Sequence, residues 1–105
     1  MTPSPIVFES HVTLEPCFDD RLELLVGLCG TKGFRVANLL MQKDRLARPE
    51  RSTKDTFTTG HDQDYDSLKE RMSQLVDLLR LAGFKVWRAK IEAVLFDVKF
   101  LRERR

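Results

Sequence analysis

The spacing of apolar residues changes along the chain, and the order of these changes limits the possible folds more than any other feature. Four segments have the alternation, or the β-branched and apolar content, that is typical of strands: residues 5–14, 34–41, 56–60 and 84–100. One segment with helical spacing lies between the first two strands, and another lies between the last two. The predicted order is therefore strand, helix, strand, strand, helix, strand.

The first helical segment follows Pro16 and ends at Gly30. Asp19 and Asp20 are its candidate N-caps, because a carboxylate can accept the free N–H groups of a first turn. Its apolar residues follow i, i+3, i+4, i+7 spacing: Leu22, Leu25, Val26 and Cys29. This pattern predicts a short amphipathic helix.

The second helical segment has the clearest apolar face in the chain. Ser67 and Glu70 form a capping-box pattern, Asp66 is an alternative cap, and Gly83 is the expected end. The apolar face contains Leu68, Met72, Leu75, Leu79 and Ala82, with Val76 and Leu78 beside them. We expect a long helix here.

The element order predicts an α+β fold, specifically a ferredoxin-like βαββαβ sandwich with a four-stranded antiparallel sheet and two helices on one face. A chain of 105 residues that is 42% hydrophobic is long enough to bury one core and too short for two. We expect a single domain over residues 1–105, with its core at about 5–99 and a basic tail at 100–105. The first and third strands are expected to be central, parallel neighbours, and the last strand is expected to pair with the first.

In two strands of this fold, polar side chains are expected on the sheet face that carries no helix. In the first strand the residues expected to face the helices are Ile6, Phe8, Val12 and Leu14. In the last strand they are Trp87, Ala89, Ile91, Ala93 and Leu95, while Val86 and Val94 fall on the opposite side. The polar residues predicted to lie together on the open face are Glu9, His11, Thr13, Arg88, Lys90 and Glu92.

The orientation of the third strand stays open from the sequence. Phe57, Thr59 and His61 share one side, and the apolar ring of Phe57 favours an inward orientation for that side. His61 lies past the expected strand end. Because the first and third strands are taken as parallel, we expect it at the same sheet edge as Thr13, where a second histidine would join the candidate site.

The polar cluster has two interpretations. Opposite charges on neighbouring strands commonly form a solvated, salt-bridged face. Alternatively, a titratable imidazole among Arg, Lys and Glu side chains is suited to binding an anion or transferring a proton. On the second interpretation His11 and Thr13 are candidate catalytic residues, and the candidate ligand-binding residues are Glu9, Arg88, Lys90, Glu92 and His61. The expected function is binding of a small anionic ligand or a protein partner, with no cofactor.

The sequence HVTL, from His11 to Leu14, resembles the His-x-Thr-hydrophobic motif of two-histidine phosphoesterases, which include RNA ligase-like and cyclic phosphodiesterase enzymes. The resemblance implies an enzyme in which His11 is an acid/base and Thr13 contacts a phosphate oxygen. That family carries two such motifs in a longer, duplicated chain. Here His61 is followed by Asp62 and Gln63, so a homodimer sharing two sites would have to supply the second motif.

Two further kinds of site are considered. The segment HDQDYD, from His61 to Asp66, offers His and Asp ligands, but it lacks a calcium-loop pattern, so helix capping is the favoured role and no metal site is expected. Nucleic acid is an unlikely partner, because Phe8 and Trp87 are assigned inward and the open face then lacks stacking aromatics. A weak nucleic-acid-binding module remains an alternative through a basic loop: Lys43, Arg45, Arg48, Arg51 and Lys54, with the terminal Arg102, Arg104 and Arg105.

Composition places the chain in a cytoplasmic setting. No apolar run is long enough for a membrane span, and the two cysteines, Cys17 and Cys29, form no disulfide or metal pattern and are expected to stay reduced. Cys29 falls on the apolar face of the first helix and is expected in the core. The formal charge of +2 is compatible with binding nucleic acid, small anions or neither. The apolar segment 94–100 is expected to extend beyond its partner strand. An exposed apolar edge favours pairing with a second copy, so we expect a homodimer.

Overall fold

The computed structural model describes residues 6–37 and 55–95, and it contains the predicted order of elements. The strands and helices are β1 (Ile6–Leu14), α1 (Asp19–Thr31), β2 (Arg35–Ala37), β3 (Thr56–Asp62), α2 (Tyr65–Leu81) and β4 (Val86–Leu95). The basic loop, the basic tail and most of the apolar segment 94–100 lie outside the described residues. Within those residues, no helix combines the length and the apolar character that crossing a membrane requires.

The strands form one antiparallel sheet in the order β2-β3-β1-β4, which confirms the ferredoxin-like arrangement. The predicted parallel pairing of the first and third strands is wrong. The helical crossover α1 returns the chain so that β2 runs in the direction of β1, and β3 then reverses direction beside β2. When β3 pairs with β1, the two strands are consequently antiparallel.

The central strand β1 separates the two faces of the sheet largely as predicted. Its residues Ser10, Val12 and Leu14 are fully buried beneath the helices. Ile6 was expected on the same side but is 44% exposed, because it lies at the strand end. Val7 is buried although it falls on the opposite face, and it does not belong to the main core cluster.

In β3 the inward assignment of Phe57 is wrong: its side chain is 45% exposed, and the alternate residues Thr56 and Thr58 are fully buried. The Thr58 hydroxyl donates to the carbonyl of Val12 at 3.1 Å, and the Thr56 hydroxyl accepts the backbone N–H of Cys17 at 3.1 Å. Because both of these threonine hydroxyls have a backbone partner, the threonine side of the strand can face the core at little cost.

The edge strand β4 departs from the predicted alternation at Trp87. Val86 pairs with Leu14 and Arg88 pairs with Thr13, so Trp87 is an extra residue at a register shift. Such a bulge reverses the alternation on one side of the extra residue. Trp87 is therefore 55% exposed rather than inward, and Val86 packs against the core instead of facing solvent.

The core lies between the helices and one face of the sheet. Its buried members include Leu22, Leu25 and Cys29 from α1, Leu68, Leu75 and Leu79 from α2, and Phe34 and Phe84 just after the helices. Most of the predicted apolar positions on the helices are confirmed. Val26 is an exception at 38% exposed, since it lies at the margin of the stripe that α1 presents to the sheet.

The N-caps differ from those predicted. Phe18 precedes the first turn of α1 without a side-chain capping bond, and the acidic residues follow it within the turn. In α2 the cap is Asp64, whose carboxylate accepts the Ser67 N–H at 2.9 Å, rather than Asp66 or Ser67. Gly83 follows α2 with a left-handed φ of 93°, which confirms it as the residue that ends the helix.

Cys17 and Cys29 are both buried, and the predicted core position of Cys29 is confirmed. Burial raises the pKa of the Cys29 thiol to about 12. Burial also raises the pKa of the Cys17 thiol, against the opposing effect of its Thr56 neighbour. Both groups are therefore neutral thiols, which act as small apolar residues in the core rather than as nucleophiles.

Candidate functional site

The three neighbouring strands β3, β1 and β4 bring the predicted polar residues together on the face opposite the helices. Antiparallel register sets three rows across the sheet. The rows are His61, Glu9 and Glu92; then Thr59, His11 and Lys90; then Phe57, Thr13 and Arg88. Because directly opposed residues share a face, every predicted site residue lies on this open face.

Glu9 is the centre of the first row, and both histidines of the chain contact its carboxylate. His11 Nε2 lies 3.1 Å from Glu9 Oε1, and His61 Nε2 lies 2.8 Å from Glu9 Oε2. His61 belongs to β3 rather than following it, and it lies beside Glu9 rather than near Thr13. The expected position is wrong because the strands are antiparallel, but the two histidines do share one carboxylate.

Glu92 approaches the same imidazole from the edge strand. Its Oε1 lies 3.6 Å from His11 Nε2, and its Oε2 accepts a bond from Lys90 Nζ at 2.8 Å. The Lys90 hydrogen bond and charge lower the pKa of the Glu92 carboxyl, and the nearby His11 adds a smaller effect. Glu92 is thus a carboxylate at neutral pH.

A shallow pocket of about 210 Å³ opens beside this cluster. Its lining consists of His11, Thr13, Phe57, Arg88 and Lys90. Thus four predicted site residues share one concavity, while the two glutamates lie outside its lining. Within residues 6–37 and 55–95, no carboxylate lies within ion-pair distance of Arg88, so its guanidinium is free to bind an external anion.

Sequence reasoning missed three residues, two on this face and one that supports it from the helix layer. Phe57 was placed inward although it forms one wall of the pocket. Thr59 was placed on the same side as Phe57 and was not proposed as a site residue, yet its hydroxyl lies 3.5 Å from His11 Nδ1. Phe57, Thr59 and His61 alternate along the strand. If Thr56 and Thr58 had been assigned to the core, this spacing would have predicted all three on the open face. With Phe57 and Trp87 exposed, the argument from missing aromatics against nucleic acid no longer holds.

The third missed residue, Arg71 on α2, fastens the end of β3 to the helix layer. Its guanidinium donates to the carbonyl of Lys32 at 2.8 Å and to the carbonyl of His61 at 2.7 Å. It also donates to Asp62 Oδ2 at 3.2 Å. No motif in the sequence indicates this role, because it depends on three segments that meet only in the folded chain.

The acidic segment after β3 serves to start α2, which confirms the capping interpretation. Asp62 Oδ1 accepts the Asp64 backbone N–H at 2.9 Å, and Asp64 in turn caps the helix. The pKa of the Asp62 carboxyl is lowered, and the hydrogen bond from the Asp64 backbone has the largest effect. Hydrogen bonds with Ser67 and Arg71 lower it further. These carboxylates are therefore already hydrogen-bonded within the protein.

The chain was also compared with protein-family models, curated proteins and solved structures. None of the three comparisons gave a significant match. The geometry of the open face is consequently the basis for assigning a function.

Proposed function

We propose that the chain binds a small anionic ligand on its open sheet face. The observation that carries this proposal is the pocket in which Arg88, free of any described carboxylate, lies with Lys90 and the Thr13 hydroxyl. Arg88 and Lys90 are two residues apart on β4 and share a face, so both cations can approach one ligand. The hydroxyl supplies an uncharged donor beside them.

The size and the walls of the pocket narrow the class of ligand. A volume of about 210 Å³ is smaller than the roughly 300–1,000 Å³ of sites for drug-sized molecules, which favours a compact ligand. Phe57 adds an apolar wall opposite the charged groups, so a phosphate or carboxylate attached to a small planar group matches the lining. Glu9 and Glu92 lie beside the pocket and would repel a second negative group on that side.

The proposal predicts that Arg88→Gln weakens anion binding at least tenfold. A charge-assisted hydrogen bond contributes about 1.5–3 kcal/mol, and about 1.4 kcal/mol corresponds to a factor of ten. Titrations of the full chain with inorganic phosphate, pyrophosphate and phenyl phosphate, followed by calorimetry or amide chemical shifts in the presence of EDTA, measure this directly. Phe57→Ala should weaken the binding of phenyl phosphate but not the binding of inorganic phosphate or pyrophosphate.

The matched control is Arg80→Gln, which removes the same charge from an exposed position on α2. Net charge then falls equally in both variants, so a general electrostatic effect would weaken binding in both. Equal affinities of the two variants, or the absence of binding by the wild type at millimolar anion, would contradict the proposed site.

Phosphoester hydrolysis is the second candidate function, because His11 and Thr13 line the same pocket as the two cations. An imidazole within reach of a bound phosphate can transfer a proton while Arg88 and Lys90 stabilise the developing charge. The His-x-Thr resemblance describes the same pair of residues. This candidate requires the bound anion of the first proposal, together with turnover.

The enzyme candidate predicts that a generic phosphodiester is hydrolysed and that His11→Asn lowers the rate at least a hundredfold, as is usual for loss of a general acid or base. Thr13→Val should lower the rate less while leaving the fold intact. Product release followed by chromatography is a suitable measurement. Phosphate binding without any turnover by the wild type would rule out this candidate and leave the first intact.

Two further proposals concern segments outside the described residues. One is weak nucleic-acid binding through the basic loop at 43–54. The other is a homodimer formed through the apolar segment 94–100, for which β4 is the edge strand of the sheet that the described residues form. Both stay predictions from the sequence.

A further inference from the structure

The first row of the open face places two carboxylates directly opposite each other. Glu9 and Glu92 are cross-strand partners in the register of β1 and β4. Like charges at such positions destabilise a sheet, and a bound cation would offset the repulsion. His11 Nε2 lies near both carboxylates, 3.1 Å from Glu9 Oε1 and 3.6 Å from Glu92 Oε1.

We propose that Glu9, His11 and Glu92 form a binding site for one divalent transition-metal ion. One ligand atom from each of the three side chains lies within 4.8 Å of the other two. Ligand atoms held at about 2.0–2.2 Å from one ion are separated by no more than about 4.4 Å. Small rotations of the two glutamates, which are on the surface of the sheet, suffice to bring all three atoms to an ion.

Each of the three ligands has a second group that holds it from outside. The oxygen of Glu9 that does not face His11 contacts His61 Nε2 at 2.8 Å. The corresponding oxygen of Glu92 accepts Lys90 Nζ at 2.8 Å. The Thr59 hydroxyl lies 3.5 Å from His11 Nδ1 and can accept a hydrogen bond from the Nδ1–H group when Nε2 binds metal. Metal sites in proteins commonly orient their ligands through such outer contacts.

The ligand types restrict the ion. One imidazole and two carboxylates suit Zn²⁺ and Mn²⁺, whereas a thiolate site would be needed to favour softer ions. Cys17 and Cys29 are buried in the core and belong to no such cluster in the described part of the chain. Three protein ligands leave at least one coordination position open. His11 also lines the anion pocket, so that open position lies near the proposed ligand.

The proposal goes beyond anion binding and can be tested without any anion. The full chain is freed of metal with EDTA, dialysed into a phosphate-free buffer and titrated with ZnCl₂ by calorimetry. One ion should bind per chain. His11→Asn and Glu92→Gln should each lower the zinc affinity at least tenfold. His61→Ala, which removes an outer contact, should lower it about 10–100-fold.

Glu23→Gln is the matched control for Glu92→Gln, since Glu23 is an exposed carboxylate on α1 outside the cluster. Thermal melts of each variant establish that the fold is retained. Mn²⁺ added to the labelled chain should broaden the amide signals of Glu9, His11 and Glu92 most strongly. Broadening centred on residues 62–66, or equal zinc affinity in Glu92→Gln and Glu23→Gln, would overturn the proposal.

The metal and anion sites respond differently to one substitution. Glu92→Gln removes a metal ligand, but it also removes a negative charge beside the pocket and releases Lys90 from its 2.8 Å ion pair. Anion affinity in EDTA should therefore be higher in this variant than in the wild type, while zinc affinity is at least tenfold lower. Failure of zinc binding in the wild type leaves the anion site standing, and failure of anion binding leaves the metal site standing.

Discussion

Arg71→Met should lower the free energy of unfolding by about 2–4 kcal/mol. The wild-type guanidinium donates to the carbonyls of Lys32 and His61 at 2.8 and 2.7 Å, and each charge-assisted bond contributes roughly 1.5–3 kcal/mol. Methionine keeps most of the length and the apolar stem but has no donor. Urea denaturation of the two proteins, analysed with a common slope, gives the difference.

Arg80→Met is the control for this change, because Arg80 is an exposed arginine in the last turn of the same helix. Its loss should shift stability by no more than about 0.5 kcal/mol, as is usual for surface positions. Arg71→Lys should recover only part of the loss, since a single ammonium cannot match the planar fork that reaches both carbonyls. A loss below 0.5 kcal/mol in Arg71→Met would show that water replaces the guanidinium at little cost.

The position of Arg71 links this loss of stability to the candidate site. The carbonyl that it binds belongs to His61, the residue whose imidazole contacts Glu9. When the bond is removed, the end of β3 loses one attachment to α2, and amide hydrogen exchange at 60–62 should become faster than at the centre of β1. The helix layer therefore contributes to the order of the open face through a residue that never reaches that face.

The fold was predictable where side-chain alternation is regular. In β1 the buried Val12 and Leu14 alternate with His11 and Thr13, so a strand with one polar face follows from spacing alone. Helix α2 likewise follows from its apolar stripe. Alternation is less informative in β3, where three threonines give both sides similar polarity. The sequence therefore left the orientation of this strand open, and a single aromatic residue favoured one side. Phe57 favoured the wrong side because hydrogen bonds to the backbone make buried threonines inexpensive.

The candidate site was predictable as a set of residues but not as a geometry. Glu9, His11 and the polar residues of β4 were expected on one face, and they lie there. Which atoms meet depends on register, and the alternation of polar and apolar residues does not by itself specify register across strands that are far apart in the chain. The bulge at Trp87 and the antiparallel pairing of β1 with β3 both alter it. The opposition of Glu9 and Glu92, on which the proposed metal site rests, became visible only with that register.

Gly60→Ala should destabilise the protein by about 1–3 kcal/mol, the usual cost of overpacking a core. A Cβ on Gly60 would lie 2.9 Å from two atoms of the Phe34 ring, closer than carbon atoms pack. Phe34 is only 3% exposed, so its ring has little room to move away. The glycine thus allows the aromatic ring after α1 to lie directly against the backbone of β3.

The same substitution at Gly27 should have the opposite effect on stability. Gly27 lies in the interior of α1, is exposed, and a Cβ there would meet nothing within 4 Å. Alanine is favoured over glycine in a helix by about 0.8–1.0 kcal/mol, so Gly27→Ala should stabilise the protein by up to that amount. Thermal or urea unfolding of the two variants therefore separates the contact with Phe34 from the general effect of adding a methyl group. If Gly60→Ala also stabilised the protein, the Phe34 ring would have to be mobile, and the packing that holds Thr59 and His61 on the open face would be looser than the contact implies.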